Sequence, residues 1–483
     1  MSEVDPNIEL AAEVEIEVEA AAKRGDLTQG PVARTLLLFT LPTLGSNVLQ
    51  SLNGSISAIY VGKFLGENAF AAAGISTFVM FAIFSSVFGL GMATTILIGQ
   101  AKGRGDLSEV RRTIGATAGT FIAIGLVMGA FGRYIAPPVL RAMATPAAVM
   151  PFAESFLHVV FLGVPLVFLT VLLQSALRGI GDAVTPLWNT VLNLVLSLVL
   201  NPVFILGLGP APRLGLPGAA FAGVLTNAIC LLFMLWRIYA LDLPIRLRGK
   251  ELALLVPDWA HMKPVLVIGV PMGLSMVIMS LAGVVMMGLI NREGVDTAAA
   301  YNAVNQIYGY IQMPAFAVSS AVSAMAAQNI GAGRWDRIGR IARTGVITNV
   351  VMTGVLVLVV ILAGHWLLGL FLPLGSRAIP IGEHINLLIA WTFVPMGVSM
   401  VMTSMVRANG AVIVPFAILV VSIIFVRMSV GFGLYPRYGS DAIWWAFMAS
   451  GTSSALLGIG YYLSGSWRKG RPMGRGAMRM AGA

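Results

Sequence analysis

The chain alternates between long stretches without a single Asp, Glu, Lys or Arg and short stretches that hold nearly all of its charge. The charge-free runs are 35–62, 69–101, 113–132, 155–177, 183–212, 214–236, 264–291, 297–333, 344–376, 385–406, 408–426 and 442–467. There are twelve, and the shortest has 19 residues. A helix needs about 20 mainly apolar residues to cross a hydrocarbon core roughly 30 Å thick. Each run is therefore long enough to span, and the longer ones imply tilt, kinks or extension past the bilayer. Charged residues make up 11% of the chain, against roughly 25% in a soluble domain. That excludes a disordered chain, which would be charge-rich and apolar-poor. It also leaves a soluble enzyme more apolar surface than it could hide. No alternating pattern points to an outer-membrane barrel. The expected fold is an all-α integral membrane protein with twelve transmembrane helices.

The charges then orient the spans. Of the 31 Lys and Arg, 23 fall in the N-terminal segment, the even-numbered gaps and the C-terminal tail, and 8 in the odd-numbered gaps. Lys and Arg accumulate on the cytoplasmic side, so both chain ends are expected there, in a multi-pass protein of a bacterial inner (plasma) membrane. The formal charge of +10 is then a topology signal and requires no nucleic-acid partner. Residues 1–34 lack the apolar core of a cleavable signal peptide. They form an acidic cytoplasmic arm, read as a solvated tail, with docking on the basic loops as the alternative. The basic tail 468–483 is expected near anionic lipid headgroups. One cysteine, Cys230, permits neither an intramolecular disulfide nor a cysteine metal site.

The chain also repeats itself. Gly66/Gly294, Gln100/Gln328, Gly103/Gly331, Gly105/Gly333 and Arg112/Arg340 lie 228 residues apart. Pro42/Pro271, Glu154/Glu383, Arg178/Arg407, Gly181/Gly410 and Pro186/Pro415 lie 229 apart. Ten pairs in matching order define two homologous halves: an N-lobe over 35–240 and a C-lobe over 264–467, joined by a polar linker over 241–263. Six spans per half is an even number, so both halves enter the membrane from the same side. The repeat is parallel, with two six-helix bundles related by a pseudo-two-fold axis along the membrane normal. Pro42, Pro165, Pro202, Pro271, Pro314 and Pro395 fall inside spans, where membranes tolerate kinks. They fit either static helix shape or hinges for rocking.

Several stretches are similar to the multidrug and toxic compound extrusion (MATE) family, in its bacterial branch. In the first half these are Val61-Gly62-Lys63-Phe64-Leu65-Gly66, Gly89 and Gly91, Gln100 through Asp106, Leu177 through Asp182 with Pro186, Asn201-Pro202, and Gly218 through Ala222. In the second half they are Gly294-Val295-Asp296 with Ala298–Ala300, Gln328 through Gly333, and Arg337. The resemblance covers about residues 35–465. It implies a secondary active antiporter. Such a protein exports amphipathic, cationic organic compounds (drugs, toxins or metabolites) in exchange for Na⁺ or H⁺ by alternating access. It implies no enzyme activity and no cofactor beyond the coupling ion. The partners are a small organic substrate and membrane lipids, and the protein is expected to be a monomer. No Gly-x4-Gly-Lys-Ser/Thr phosphate loop is present.

This sequence departs from the family where the family often places acids. Ser57 stands four residues before the Val-Gly of span one, Asn201 precedes the proline of span five, and Met279-Ser280 and Pro395-Met396 occupy the other two places. The spans instead carry neutral polar faces. Gln50, Asn53 and Ser57 share one face of span one by i, i+3, i+7 spacing. Asn189, Asn193, Ser197 and Asn201 share one face of span five at strict i+4 spacing. Span eight carries Tyr301, Asn302, Asn305, Gln306, Tyr308 and Tyr310. Interhelical hydrogen bonding is one reading of these faces. The other makes Gln50, Asn53, Ser57, Asn193, Ser197, Asn201 and Asn305 the lining for a substrate or a weakly held cation. Three span-edge groups could serve proton coupling: Glu154 and His158 at i, i+4, and Glu383, the repeat mate of Glu154. Their alternative is a membrane-surface position. Arg427 is expected to snorkel near the outer interface. A flippase or exporter of a lipid-linked or specific metabolite substrate is the alternative function. A flippase for an anionic lipid-linked cargo would need several cationic residues inside the spans, and only Arg427 qualifies.

Overall fold

The computed structural model describes residues 25–143, 145–208, 212–373 and 375–469. Most of the acidic arm and the tail beyond Lys469 lie outside them. Among the described residues the chain is helical throughout, with no strand. The first helical run, Val32–Gly103, is broken at Gly66. Its arms are α1 (32–65) and α2 (67–103). Then follow α3 (Leu107–Ala142), α4 (Met150–Gly179), α5 (Val184–Leu206) and α6 (Leu216–Ala240). The second half holds α7 (Trp259–Arg292), α8 (Val295–Gly331), α9 (Trp335–Leu362), α10 (Ala378–Arg407), α11 (Ile413–Tyr438) and α12 (Ser440–Ser464). Among the described residues ten helical segments are apolar and long enough to cross a membrane, with α1 and α2 counted as one. The twelfth helix, α8, is diluted by its tyrosines and amides but carries no charge after Asp296. The twelve expected spans are these twelve helices.

The breaks between helices repeat along with the sequence. Gly66 turns with φ 81° and ψ −178°, and its mate Gly294 with φ 101° and ψ 175°. This backbone region is open essentially to glycine alone, and other residues held there are strained by about 1–3 kcal/mol. Gly66→Ala and Gly294→Ala should each lower the thermal unfolding midpoint of the purified protein. Gly54→Ala, in helical backbone with open space around it, should not. Equal midpoints for all three variants would contradict the requirement for glycine at these two breaks.

Other elements follow from local chemistry. In α10 a 3-10 turn at Ala390–Thr392 separates two α-helical pieces. Pro395 has no N–H to offer the Trp391 carbonyl, so the α ladder cannot run through. The linker is better ordered than a solvated tether. Its 3-10 helix Gly249–Leu255 packs on α3, and Glu251 meets Arg111 at 2.6 Å. Partial burial pushes the Glu251 carboxyl up, but the Arg248 backbone N–H and the Arg111 guanidinium outweigh it and hold the group below the ordinary carboxylate range.

Packing divides the buried side chains into three clusters. One lies wholly in the first half, from Val61 to Ile245. Another lies wholly in the second, from Met286 to Ala446. The third draws on both: Leu36, Phe39, Ala93, Ile96 and Leu97 pack with Ile268, Val322, Met325, Ile341 and Val401. Leu27 and Trp467 belong to this shared cluster too, so the described chain ends meet at one end of the bundle. The lobes therefore have separate cores and a joint core only at the end that bears both termini.

Candidate functional site

Two of the polar faces expected from spacing do point at each other. Asn53 of α1 donates from Nδ2 to Asn193 Oδ1 of α5 at 2.8 Å, and Asn201 Nδ2 of α5 donates to Ser57 Oγ of α1 at 3.4 Å. Ser197 and Asn201 are buried. Gln50 is exposed, as is Asn305 on α8 together with Asn302 and Gln306. Amide groups turned to lipid would be costly, so lipid is a poor neighbour for these exposed faces.

The α1–α5 contact extends to α6 through residues that spacing alone did not select. Asn189, one turn before Asn193, is buried and its backbone carbonyl accepts from Cys230 Sγ of α6 at 3.7 Å. Thr226 lies one turn before Cys230 and is also buried. The side-chain oxygens of Asn53, Asn189 and Thr226 are all buried without a hydrogen-bond partner among the described residues. Buried polar atoms are nearly always satisfied by protein or water, so each of these three oxygens has unused acceptor capacity. Thr226 went unseen because span six, with only Asn227 beside it, shows no polar face of regular spacing.

The three acid and histidine candidates are placed differently. Glu154 and His158 lie near the start of α4, both partly buried. They share no hydrogen bond, and His158 Nε2 is buried without a partner among the described residues. Glu383 accepts from or shares a proton with His365 Nδ1 at 2.8 Å at an exposed position, and its neighbour His384 bonds Asp441. The structure thus joins neither Glu154 to His158 nor these groups to the α1–α5 contact.

Arg427 corrects the snorkelling expectation. The span does not stop there: α11 runs eleven further residues to Tyr438, with a π-helical turn over Val421–Arg427. Arg427 Nε donates to Ser450 Oγ of α12 at 2.9 Å, and the guanidinium carbon sits 4.6 Å from the Phe447 ring centroid. The side chain is thus held inside the C-lobe against α12, with Ser450 itself buried.

At the joint end of the lobes the hydrogen bonding is reciprocal. Gln100 Nε2 of α2 donates to the Ala408 carbonyl at 2.7 Å, just past α10. Its repeat mate Gln328 of α8 donates from Nε2 to the Gly179 carbonyl at 3.0 Å, at the end of α4. Glycines let the backbones approach: a Cβ on Gly103 would fall on the Gln328 carbonyl oxygen, and one on Gly331 on that of Gln100. The segment before α1 lies across this seam. Leu27 N donates to Gln328 Oε1 at 3.0 Å, Asn329 Nδ2 donates to the Leu27 carbonyl at 3.0 Å, and Arg337 donates to the Gln29 and Gly30 carbonyls.

The doubled architecture has counterparts among known proteins. The sequence profile of the MatE family fits the chain twice, over residues 42–203 and 271–432. The two matches are displaced by 229 residues, the spacing of the internal repeat. A probable multidrug resistance protein of Bacillus subtilis, YoeA, is 32% identical over 435 residues, covering 89% of this chain and 93% of that one. A protein of Shewanella oneidensis named as an FAD transporter is 25% identical over 315 residues, covering 65% of this chain and 69% of that one. Among solved structures, a MOP superfamily transporter from Pyrococcus furiosus superimposes with a TM-score of 0.84 over 92% of this chain and 99% of that one, at 18% identity. The chain therefore belongs to the MatE family, the multidrug and toxic compound extrusion proteins, which are membrane transporters and not enzymes.

Proposed function

We propose that this protein is a secondary active exporter that carries amphipathic organic solutes out of a bacterial cell in exchange for Na⁺. The observation that carries the reading is the split core. Lobes that share packing at one end only can rock about the gap, exposing it to one side of the membrane or the other. The seam end is the cytoplasmic end in this reading, as the excess of Lys and Arg on that side indicates. One chain holds both lobes and the gap, so a monomer suffices.

Sodium is favoured over protons by the chemistry of the α1–α5–α6 contact. Amides and hydroxyls do not take up protons near neutral pH, whereas carbonyl and hydroxyl oxygens can replace an ion's hydration shell. The orphan oxygens of Asn53, Asn189 and Thr226 supply such ligands. Gln50, Ser57, Ser197, Asn201 and Asn305 complete the neutral lining. Glu154→Gln and Glu383→Gln should then leave export within about twofold of wild type. Loss of export in Glu154→Gln alone would move the coupling to protons.

Expression in an efflux-deficient bacterium tests the export reading. Intracellular accumulation of at least one amphipathic dye should fall severalfold. Equal accumulation across a broad panel, with the protein present in the membrane, would contradict multidrug export. The likeness to a named FAD transporter favours a second reading, export of one specific metabolite, which such a panel would miss and a metabolite comparison of the culture medium would find.

A further inference from the structure

A charge in the interior of a membrane protein is a functional suspect, and Arg427 lies in the interior of α11, between Ile413 and Tyr438. It lies eleven residues from the outer end of α11 at Tyr438, about 16 Å of helix at 1.5 Å per residue. Among the described residues no carboxylate pairs with it, and its contacts are neutral: Ser450 through Nε and the face of Phe447. Its two Nη groups have no protein hydrogen-bond partner among the described residues. A guanidinium offers five donors in a planar fork suited to carboxylates and phosphates. Here one donor is used to orient the group and the rest of the fork is left over.

The surroundings specify more than charge. Tyr301 of α8 stacks on Trp444 with ring centroids 5.9 Å apart and lies 6.1 Å from Phe447. Tyr301 is also one helical turn from Asn305, which is exposed beside Gln306. The π-helical turn that ends at Arg427 interrupts the regular ladder of α11 at this level, a feature frequent at functional sites. A shelf of aromatic rings, an unspent guanidinium and an exposed amide face thus occur together in the C-lobe. The N-lobe offers only neutral oxygens at its own polar contact.

We propose that Arg427, with Ser450, Phe447 and Tyr301, forms a subsite for the anionic group of an aromatic solute, so that the cargo is an organic anion. The fork holds a carboxylate or phosphate of the solute while the Tyr301–Phe447 rings receive its apolar part. This names a substrate class for the export reading above and rests on it for the word cargo, whereas the subsite itself is a binding claim that stands apart. It differs from the cationic cargo that the family resemblance implies, and it fits the lack of acids at the family's usual places.

Fluorescein and rhodamine 6G share a tricyclic ring system and carry opposite charge, so their binding to the purified full-length chain in a neutral detergent separates charge from shape. Fluorescence polarisation should show fluorescein binding at least tenfold weaker in Arg427→Gln, and within about threefold of wild type in Arg427→Lys. Rhodamine 6G binding should change less than twofold in either variant, which also reports an intact fold. Raising salt should weaken fluorescein binding to the wild type and not to Arg427→Gln. Adding phosphatidylglycerol at one molecule per chain should leave fluorescein bound, and its displacement would assign the fork to a lipid headgroup and overturn the proposal. No measurable binding of fluorescein by the wild type, equal binding by Arg427→Gln, or parallel loss of both dyes would overturn it as well. Export failing in cells while this binding pattern holds would remove the export reading and leave the subsite.

Discussion

Replacing Gln100 and Gln328 together by alanine is expected to open the seam between the lobes. The two amides bind carbonyls of the opposite lobe, at Ala408 and Gly179, and in an arrangement open at this end neither bond could persist. A hydrogen bond of this kind contributes about 0.5–1.5 kcal/mol net, so losing two shifts the balance between the closed and open seam by about 1–3 kcal/mol, or roughly 5- to 150-fold. Gln328→Ala alone should act more strongly than Gln100→Ala, because Gln328 also receives the Leu27 N–H and so anchors the segment laid over the seam. A readout is a cysteine at Ala324, fully buried in the shared core, in a background where Cys230 is replaced by serine. Its labelling by a membrane-impermeant maleimide applied from the cytoplasmic side should rise at least fivefold in the double variant. Unchanged labelling, with the maleimide reaching a surface control, would show that these bonds do not hold the lobes together.

The second large effect is expected at the amide contact of the N-lobe. Asn193→Leu removes the partner of the Asn53 amide, whose Oδ1 is already without a donor. An unsatisfied buried amide costs about 1–3 kcal/mol, and the substitution also takes away an oxygen that a cation would use. Export should fall at least tenfold while the amount of protein in the membrane stays near wild type. Ser57→Asp, beside Asn201, should do the opposite in kind: it restores an acid on the same face and should shift dye preference toward cations. Asn193→Leu exporting at the wild-type rate would reduce the α1–α5 contact to helix packing.

The parts of this account that were legible in the sequence are those governed by local rules. Span positions follow from the cost of charge in lipid, and the lobes follow from paired positions such as Gly66 and Gly294, whose backbone angles agree in the structure. That Asn53 and Ser57 share a face, and Asn193 and Asn201 another, and that both should avoid lipid, followed from helical periodicity and the penalty on a polar stripe; that the two faces meet is a tertiary fact. What stayed hidden depends on tertiary contact. Gln100 and Gln328 were visible as repeat mates, but their exchange of bonds needs both lobes in place. Thr226 carries no periodic signal, and its orphan hydroxyl is known only from its neighbours. Arg427 was misplaced because a run defined by absence of charge must end at any charge. A π turn that lets a helix continue through an arginine leaves no mark in composition. Glu154 and His158 share a helix face by spacing, yet spacing does not fix side-chain direction, and the two do not bond.

The central claim is that two like-oriented lobes move an organic solute across a membrane at the expense of an ion gradient. Purified protein in vesicles of neutral lipid, loaded with a transported dye, tests it with Na⁺ and pH gradients imposed one at a time. Dye flux should follow the Na⁺ gradient, stop when that gradient is collapsed at constant pH, and be absent with Asn193→Leu. Flux indifferent to both gradients would describe a passive pore and contradict the account.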